Sequence, residues 1–387
     1  MANYDYEIVN GRKIRVRPKE TVSEIDKNGY FRRQPNHFTT PFGDGENDLK
    51  AEGNKRYRLV WAKLCHWSNR AAIVRELEGL EDQISVNMVE HAPHGKNLGW
   101  EYVYNENNID PVLGDQFLSE AYYRADDDYQ GRTTVPALID TTTGKVVNND
   151  YNWLTTYFEV NFRPWHKKGA SELYPVELRE EIDKMNLWLF DNINNAVYRS
   201  SFSRSNEGHF DGVNTFYAAM DRLEKRLETN RFLFGDYVTD SDIRLYVTLA
   251  RLDIRYTAQL GETKRPLYTY KNLWGYAKEL WEIPAFKNNT FFADFAVPPA
   301  DAKGRIEGEE DGFRASTHYD LALPKIDWDA QWKVSTERAY LSSDPTHPIY
   351  LGNNRRFDID PTWYDLGAES PKKEEKETPP SCGCCCG

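Results

Sequence analysis

The stretch "RYRLVWAKLCHWSNRAAIVREL", Arg56 to Leu77, carries Cys65, the one cysteine of this 387-residue chain that precedes its last six residues. Its first part, "YRLVWAK", is rich in aromatic and aliphatic residues and reads as a strand. From Ser68 the pattern changes to "SNRAAIVRELEGL", a helix with Ala72, Ile73, Leu77 and Leu80 on one face that ends near Gly79. Cys65 therefore falls between a strand and a helix N-terminus, where exposed N–H groups and the helix dipole favour an anion. The thiolate is the nucleophilic form of cysteine. Arg70, one turn into the helix, is expected to add positive charge nearby. The residues alone leave a second reading open, in which Cys65 is a small buried apolar side chain.

Outward from this stretch, "ISVNMV" (Ile84 to Val89) is a second strand, parallel to the first if the helix is a right-handed crossover. A polar insertion runs from His91 to Gly131. "PALID" and "KVV" flank "TTTG" as a hairpin, and "NDYNWLTTYF" starts a helix. Strand–helix–strand, hairpin and helix, over residues 54–160, is the order of an α/β thioredoxin-like domain. After Pro175 the signals are helical. "PVELREEIDKMNLWLFDNINNAVY" repeats apolar residues at Ile182, Met185, Leu189 and Ile193, and "VNTFYAAMDRLEKRLE" at Phe216, Met220, Leu223 and Leu227. "TDSDIRLYVTLARLDIRY" opens with Thr239 and Asp242 in a capping-box arrangement, and "KNLWGYAKELWEI" is a helix stopped at Pro284. An all-α domain is expected over 170–295. An N-terminal arm (1–53) is expected to wrap the surface, a loop-like extension covers 296–367, and a disordered tail fills 368–387.

A net charge of −12 excludes a phosphate-tracking surface, hence nucleic acid. The N-terminal residues lack a signal-peptide core and no run reaches the ~18 apolar residues of a membrane span, so no membrane partner and a cytoplasmic location are expected. A lone cysteine in the body excludes a disulfide framework there and fits a reducing compartment. No metal site is expected: "HAPH" has His91 and His94 three apart, but Pro93 makes a loop of it, and "EGEEDG" (307–312) lacks the spacing of a calcium loop. The tail cysteines Cys382, Cys384, Cys385 and Cys386 are too close for one tetrahedral zinc. They leave open a soft ion, a zinc shared between chains, covalent modification, a thiol that reaches Cys65, or no role.

A thioredoxin-like half followed by a helical half is the glutathione-transferase architecture. Within it, "CHWSNR" (65–70) resembles the Cys-Pro-Trp-Ala-His-Arg box of the Xi-class glutathione transferases, also called glutathionyl-hydroquinone reductases. "LGWEY" (98–102), "YQGRTTVPALID" (129–140), "VVNND" (146–150), "INNAVYRSSF" (193–202), "DIRLYVTLARLDIRY" (242–256) and "KNLWGY" (271–276) are similar to further boxes of that family, in order, from about residue 30 to 290. The resemblance implies Cys65 as catalytic nucleophile and a cis Val135–Pro136 peptide against the backbone of a thiol substrate. It implies Trp100 and Arg132 as thiol-binding residues. Asp150 and the N–H of Tyr151, at the next helix start, would receive the γ-glutamyl end.

Tyr198 and Tyr256 match tyrosines lining the family's aromatic pocket, where a phenol can pass a proton to a quinol oxygen. Packing alone is the other reading of both, as a core Trp and a surface Arg are for Trp100 and Arg132. The implied partners are an aromatic conjugate and glutathione, or another low-molecular-weight thiol, as cosubstrate, with no tightly bound cofactor, in a homodimer. The implied activity is thiol-dependent reductive cleavage of S-glutathionyl hydroquinones through a cysteine mixed disulfide. An Omega-like thiol transferase acting on mixed disulfides or dehydroascorbate, and a non-catalytic binding module, are the alternatives. Three departures stand out: His66 replaces the box proline, Tyr151 a serine, and Phe291 and Phe292 a tyrosine-bearing segment. Ser68 occupies the position of a resolving cysteine, so an external thiol must complete the exchange.

Overall fold

The N-terminal residues form a hairpin, β1 (Tyr6–Val9) and β2 (Arg12–Arg15), closed by Asn10 and Gly11, both at positive φ. A two-residue turn of this kind matches the twist of the paired strands. The computed structural model describes residues 4–17, 23–91, 98–261, 265–296, 326–333 and 338–342. Strand β3 (Tyr57–Trp61), helix α1 (His66–Leu77) and strand β4 (Ile84–Met88) make a parallel βαβ unit. The short pair β5 (Glu90–His91) and β6 (Trp100–Glu101) and helix α2 (Leu118–Ala125) follow. Strands β7 (Ala137–Asp140) and β8 (Lys145–Asn148) and helix α3 (Leu154–Val160) complete an α/β layer whose sheet runs β4-β3-β7-β8. The β3–β7 and β7–β8 pairs are antiparallel.

Alternation along the strands assigns the two faces. Leu59 and Leu138 pack with Ala71, Ile73, Val74 and Phe158 in a core continuous with the helical half. Val60, Ala137 and Ile139 pack on the other face with Leu118, Ala121 and Tyr122. The α/β layer with a helical half is thus as the residue pattern predicts.

The helical half contains α4 (Arg179–Leu189), α5 (Ala196–Phe202), α6 (Asn206–Arg226), α7 (Asp240–Arg251), α8 (Thr257–Leu260), α9 (Lys271–Trp281), α10 (Pro284–Asn288), α11 (Phe292–Ala296) and α12 (Trp328–Trp332). The Thr239–Asp242 capping box is present at α7, where the Asp242 carboxylate accepts the Thr239 N–H at 2.8 Å and the Leu233 N–H at 2.9 Å. Helices α5 and α6 pack so closely that a Cβ on Gly212 would collide with the backbone of Ala196 and Ser200. Among the described residues no helix is long and apolar enough to cross a membrane.

Several expectations need correction. The single helix expected over 175–198 is interrupted by a π turn at Phe190–Asn194, and a second π turn, Leu252–Tyr256, ends α7. Pro284 starts α10 at its N1 position rather than only stopping α9, because the missing N–H costs nothing in a first turn. The 1–53 arm is more than a surface wrap: it holds the hairpin, and Phe31 and Phe42 are buried. Residues 296–367 are not all loop. Trp332 of α12 packs on Trp274 and Phe292, and Arg338 donates to Leu227 O and Asn230 O. The aromatic content that hides any period there is what docks the segment. The cysteine-tipped tail, His94 and residues 307–312 lie outside the described residues.

Candidate active site

Cys65 is the N-cap residue of α1, so the helix begins at His66, two residues before the pattern that starts at Ser68. The stripe marks the buried face, whereas hydrogen bonding starts where the Cys65 carbonyl accepts from Asn69 N, at 3.0 Å. The Cys65 side chain makes no capping bond. Its Sγ lies half-buried, 3.6 Å from the Val135 carbonyl oxygen, next to the cis peptide between Val135 and Pro136. The thiol therefore stands at the helix N-terminus and faces the backbone edge of a neighbouring strand lead-in.

Ser68 is fully buried and spends its hydroxyl on the loop. Its Oγ donates toward Cys65 O (3.2 Å) and Ala62 O (3.3 Å) and accepts from Ala62 N at 3.1 Å. It shapes the turn that presents Cys65. Arg70 follows on the same helix. Its guanidinium donates to Tyr151 O, and its charged neighbours are Arg244, Asp240, Glu159 and Asp150, so it braces the contact with α3 and α7. The guanidinium that holds the cysteine loop comes from the end of α7. Arg251, fully buried, donates to Leu64 O (2.9 Å), Lys63 O (2.7 Å) and Asn69 Oδ1 (3.1 Å).

His66 is buried with Nδ1 3.1 Å from Thr248 Oγ1, while Nε2 is enclosed without a hydrogen-bond partner. Burial, reinforced by Arg251, Arg33 and Arg70, pushes its pKa well below the usual imidazole range. The ring is neutral at physiological pH and packs 5.2 Å from the Tyr198 ring and 5.8 Å from the Tyr256 ring. Burial followed by the charge of a Cys65 thiolate raises the Tyr198 pKa, which Arg33, Arg255 and Arg251 oppose. Burial raises that of Tyr256 as well. Both phenols are thus protonated and share an electrostatic environment with the sulfur.

Trp100 stacks on His91 at 4.1 Å, and a pocket is lined by Arg17, His91, Trp100, Tyr123, Arg132 and Thr133. Arg132 pairs with Glu24 at 2.8 Å and its N–H donates to Gln34 Oε1 at 2.9 Å. Asp150 accepts from Asn36 Nδ2 and from Asn152 N, each at 2.9 Å. The helix expected at Tyr151 begins at Leu154, because residues 151–153 form a turn whose Trp153 and Leu154 N–H groups return to Asp150 O. The Tyr151 ring lies 4.8 Å from Trp67 and stacks on Phe190 at 5.9 Å. Of the two phenylalanines, Phe291 lies 6.0 Å from Trp61 with Lys63 Nζ over its ring, while Phe292 is buried against Trp332.

Residues 196–279 match the family model described as glutathione S-transferase, C-terminal domain. A "Glutathione S-transferase omega-like 2" of Schizosaccharomyces pombe is 35% identical over 69% of this chain and 87% of its own. The "Glutathionyl-hydroquinone reductase YqjG" of Escherichia coli is 33% identical over 61% of this chain and 72% of its own. The glutathione-bound structure of YqjG has a TM-score of 0.66 at 28% identity, covering 80% of this chain and 97% of that one. The Xi glutathione transferase of Phanerochaete chrysosporium gives a TM-score of 0.66 at 31% identity over 76% of this chain and 93% of its own. The chain belongs to the Xi-class glutathione transferases.

Within this Xi-class chain, residue reasoning singled out Cys65, His66, Tyr198 and Tyr256, which lie together, Trp100 and Arg132, which share a pocket, and Asp150 and Tyr151, of which Tyr151 packs on Trp67. It missed Arg33, Arg251, Glu24, Gln34 and Asn36. The hydrogen bonds that tie them to the site span 98 to 188 positions of sequence, and no local spacing marks such pairs. The buried neutral His66 makes a testable statement. Its folded pKa is depressed, so its contribution to stability is fully present above the unfolded value of ~6.5 and is lost as pH falls through that range. The urea midpoint is expected to drop between about pH 7 and pH 5, and His66→Gln to flatten that drop. An unchanged slope would remove His66 as its source.

Proposed function

We propose that this chain is a glutathione-dependent reductase that cleaves S-glutathionyl conjugates of hydroquinones, with Cys65 as nucleophile. The observation that carries this reading is the Cys65 sulfur at the α1 N-terminus, 3.6 Å from Val135 O, with Tyr198 in its electrostatic reach. The Cys65 thiolate attacks the glutathionyl sulfur, forming an S–S bond while the aryl C–S bond breaks. The departing electron pair and a proton from Tyr198 or Tyr256 give the free hydroquinone. A second glutathione attacks the mixed disulfide and leaves as glutathione disulfide, which returns the Cys65 thiolate. Trp100, Arg132, Val135, Pro136, Asp150 and Tyr151 would hold the glutathionyl part. A homodimer in a reducing cytoplasm completes the proposal, and a monomer mass at micromolar concentration would remove the dimer from it.

The test is a single turnover. Protein mixed with one equivalent of an S-glutathionyl hydroquinone and no free thiol is expected to release hydroquinone and gain one glutathionyl group on Cys65 by intact and peptide mass. Absence of both products would sink the reading. The omega-like name of the fission-yeast relative supports a second reading, reduction of glutathione mixed disulfides. Faster turnover on a protein–glutathione mixed disulfide than on the aryl conjugate would favour it.

A further inference from the structure

Arg33, on the N-terminal segment, brings a cation to the aromatic wall of the site. Its guanidinium carbon lies 4.4 Å from the ring centroids of both Trp67 and Tyr198, and 5.6 Å from that of Tyr151. Its Nε is anchored on Asn195 Oδ1 at 3.1 Å, at the start of α5, the helix that carries Tyr198. Its Nη2 is buried and has no hydrogen-bond partner. Three nearby guanidiniums are committed elsewhere, Arg251 to the Lys63 and Leu64 carbonyls, Arg70 to Tyr151 O, and Arg132 to Glu24, while Arg255 shares the field at Tyr198. Arg33 forms no ion pair with a described carboxylate. A guanidinium between two aromatic faces has shed much of its water, and an unpaired buried N–H costs free energy until an acceptor arrives.

We propose that Arg33 is a catalytic residue that receives the oxygen of the aromatic leaving group in the C–S cleavage read above. The inference rests on that reading. When the conjugate reacts as its keto tautomer, the Cys65 sulfur bonds to the glutathionyl sulfur and the broken C–S pair passes through the adjacent carbon onto the carbonyl oxygen, giving an enolate. That enolate is the hydroquinone monoanion: the guanidinium stabilises its oxygen, and one proton from a tyrosine hydroxyl to that oxygen gives the hydroquinone. Stabilisation of charge that develops only in the transition state is where a fixed donor is most effective. The substrates this favours are thioethers with an oxygen conjugated to the carbon that bears sulfur.

The test compares three substrates: an S-glutathionyl hydroquinone, S-phenacyl glutathione, and a glutathione mixed disulfide. The first two expel an enolate, and the third a thiolate that needs no help at oxygen. In Arg33→Met the ratio of thioether to disulfide turnover is expected to fall by about a hundredfold. In Arg33→Lys, which keeps the charge but not the fork, it is expected to fall less. An unchanged ratio, including equal loss on all three substrates, would overturn the proposal and leave Arg33 a packing residue. If the wild-type chain turns over the disulfide but neither thioether, the function reading fails and takes the inference with it.

Discussion

Cys65→Ser is expected to lower thioether turnover by at least about a thousandfold while leaving the fold intact. The hydroxyl keeps the size of the thiol but is not ionised at neutral pH and forms no stable bond to sulfur. The half-buried side chain makes one weak hydrogen bond, to Val135 O, and no capping bond. The change should therefore move the urea midpoint little, within about 0.5 kcal/mol. Glutathione affinity, read by isothermal calorimetry, should survive within a few fold, since the remaining thiol-side residues are unaltered. Retention of full turnover would end the mechanism. Loss of turnover together with loss of the folded state would show instead that the thiol is structural.

Arg251→Met is the second large effect, and it acts on the scaffold. The substitution removes the donors for Lys63 O, Leu64 O and Asn69 Oδ1 in a fully enclosed place, and for Val247 O on its own helix. Buried acceptors left unpaired cost about 1–3 kcal/mol each unless water enters, and methionine fills the volume without replacing a donor. A loss of roughly 3–5 kcal/mol in unfolding free energy is expected by urea titration. The surviving folded fraction should react more slowly at Cys65 with an alkylating reagent or a glutathione disulfide, because the loop that presents the sulfur has lost its tether. Arg251→Lys should recover part of the stability through one or two of the carbonyls. A stable Met variant with unaltered thiol reactivity would show that α7 does not hold the cysteine loop.

The sequence speaks clearly about what is periodic and little about what is long-range. Strand β3, Cys65 and α1 are legible because a β pattern gives way to a helical one at the thiol, and the Thr239–Asp242 cap because both partners lie in one turn. Arg251 is illegible in that sense: it reads as one more arginine on an amphipathic helix, and its partners around Cys65 lie 182 to 188 positions away. The same holds for Arg33 with Asn195, and for Glu24 with Arg132. For Arg70, helical spacing gives the distance along the axis but not the direction of a long side chain that ends on Tyr151 O in a crowded interface. His66 was open between a tuning group and a turn residue. Its burial against two tyrosines makes it a neutral aromatic wedge.

The two π turns carry a consequence for how this site tolerates change. Tyr198 follows the wide turn at Phe190–Asn194, and Tyr256 closes the one at Leu252–Tyr256. Each wide turn holds one residue more than a straight helix would, and one residue is about 100° of rotation about the axis. Both tyrosines therefore owe their facing to an insertion rather than to their own identity. Substitution at either ring alters chemistry at a fixed address. Deletion of a single residue within either wide turn would restore a regular helix and swing the tyrosine about a quarter-turn away from His66, with composition almost unchanged. In this half of the molecule, phase is as much a part of the site as the side chains it aims.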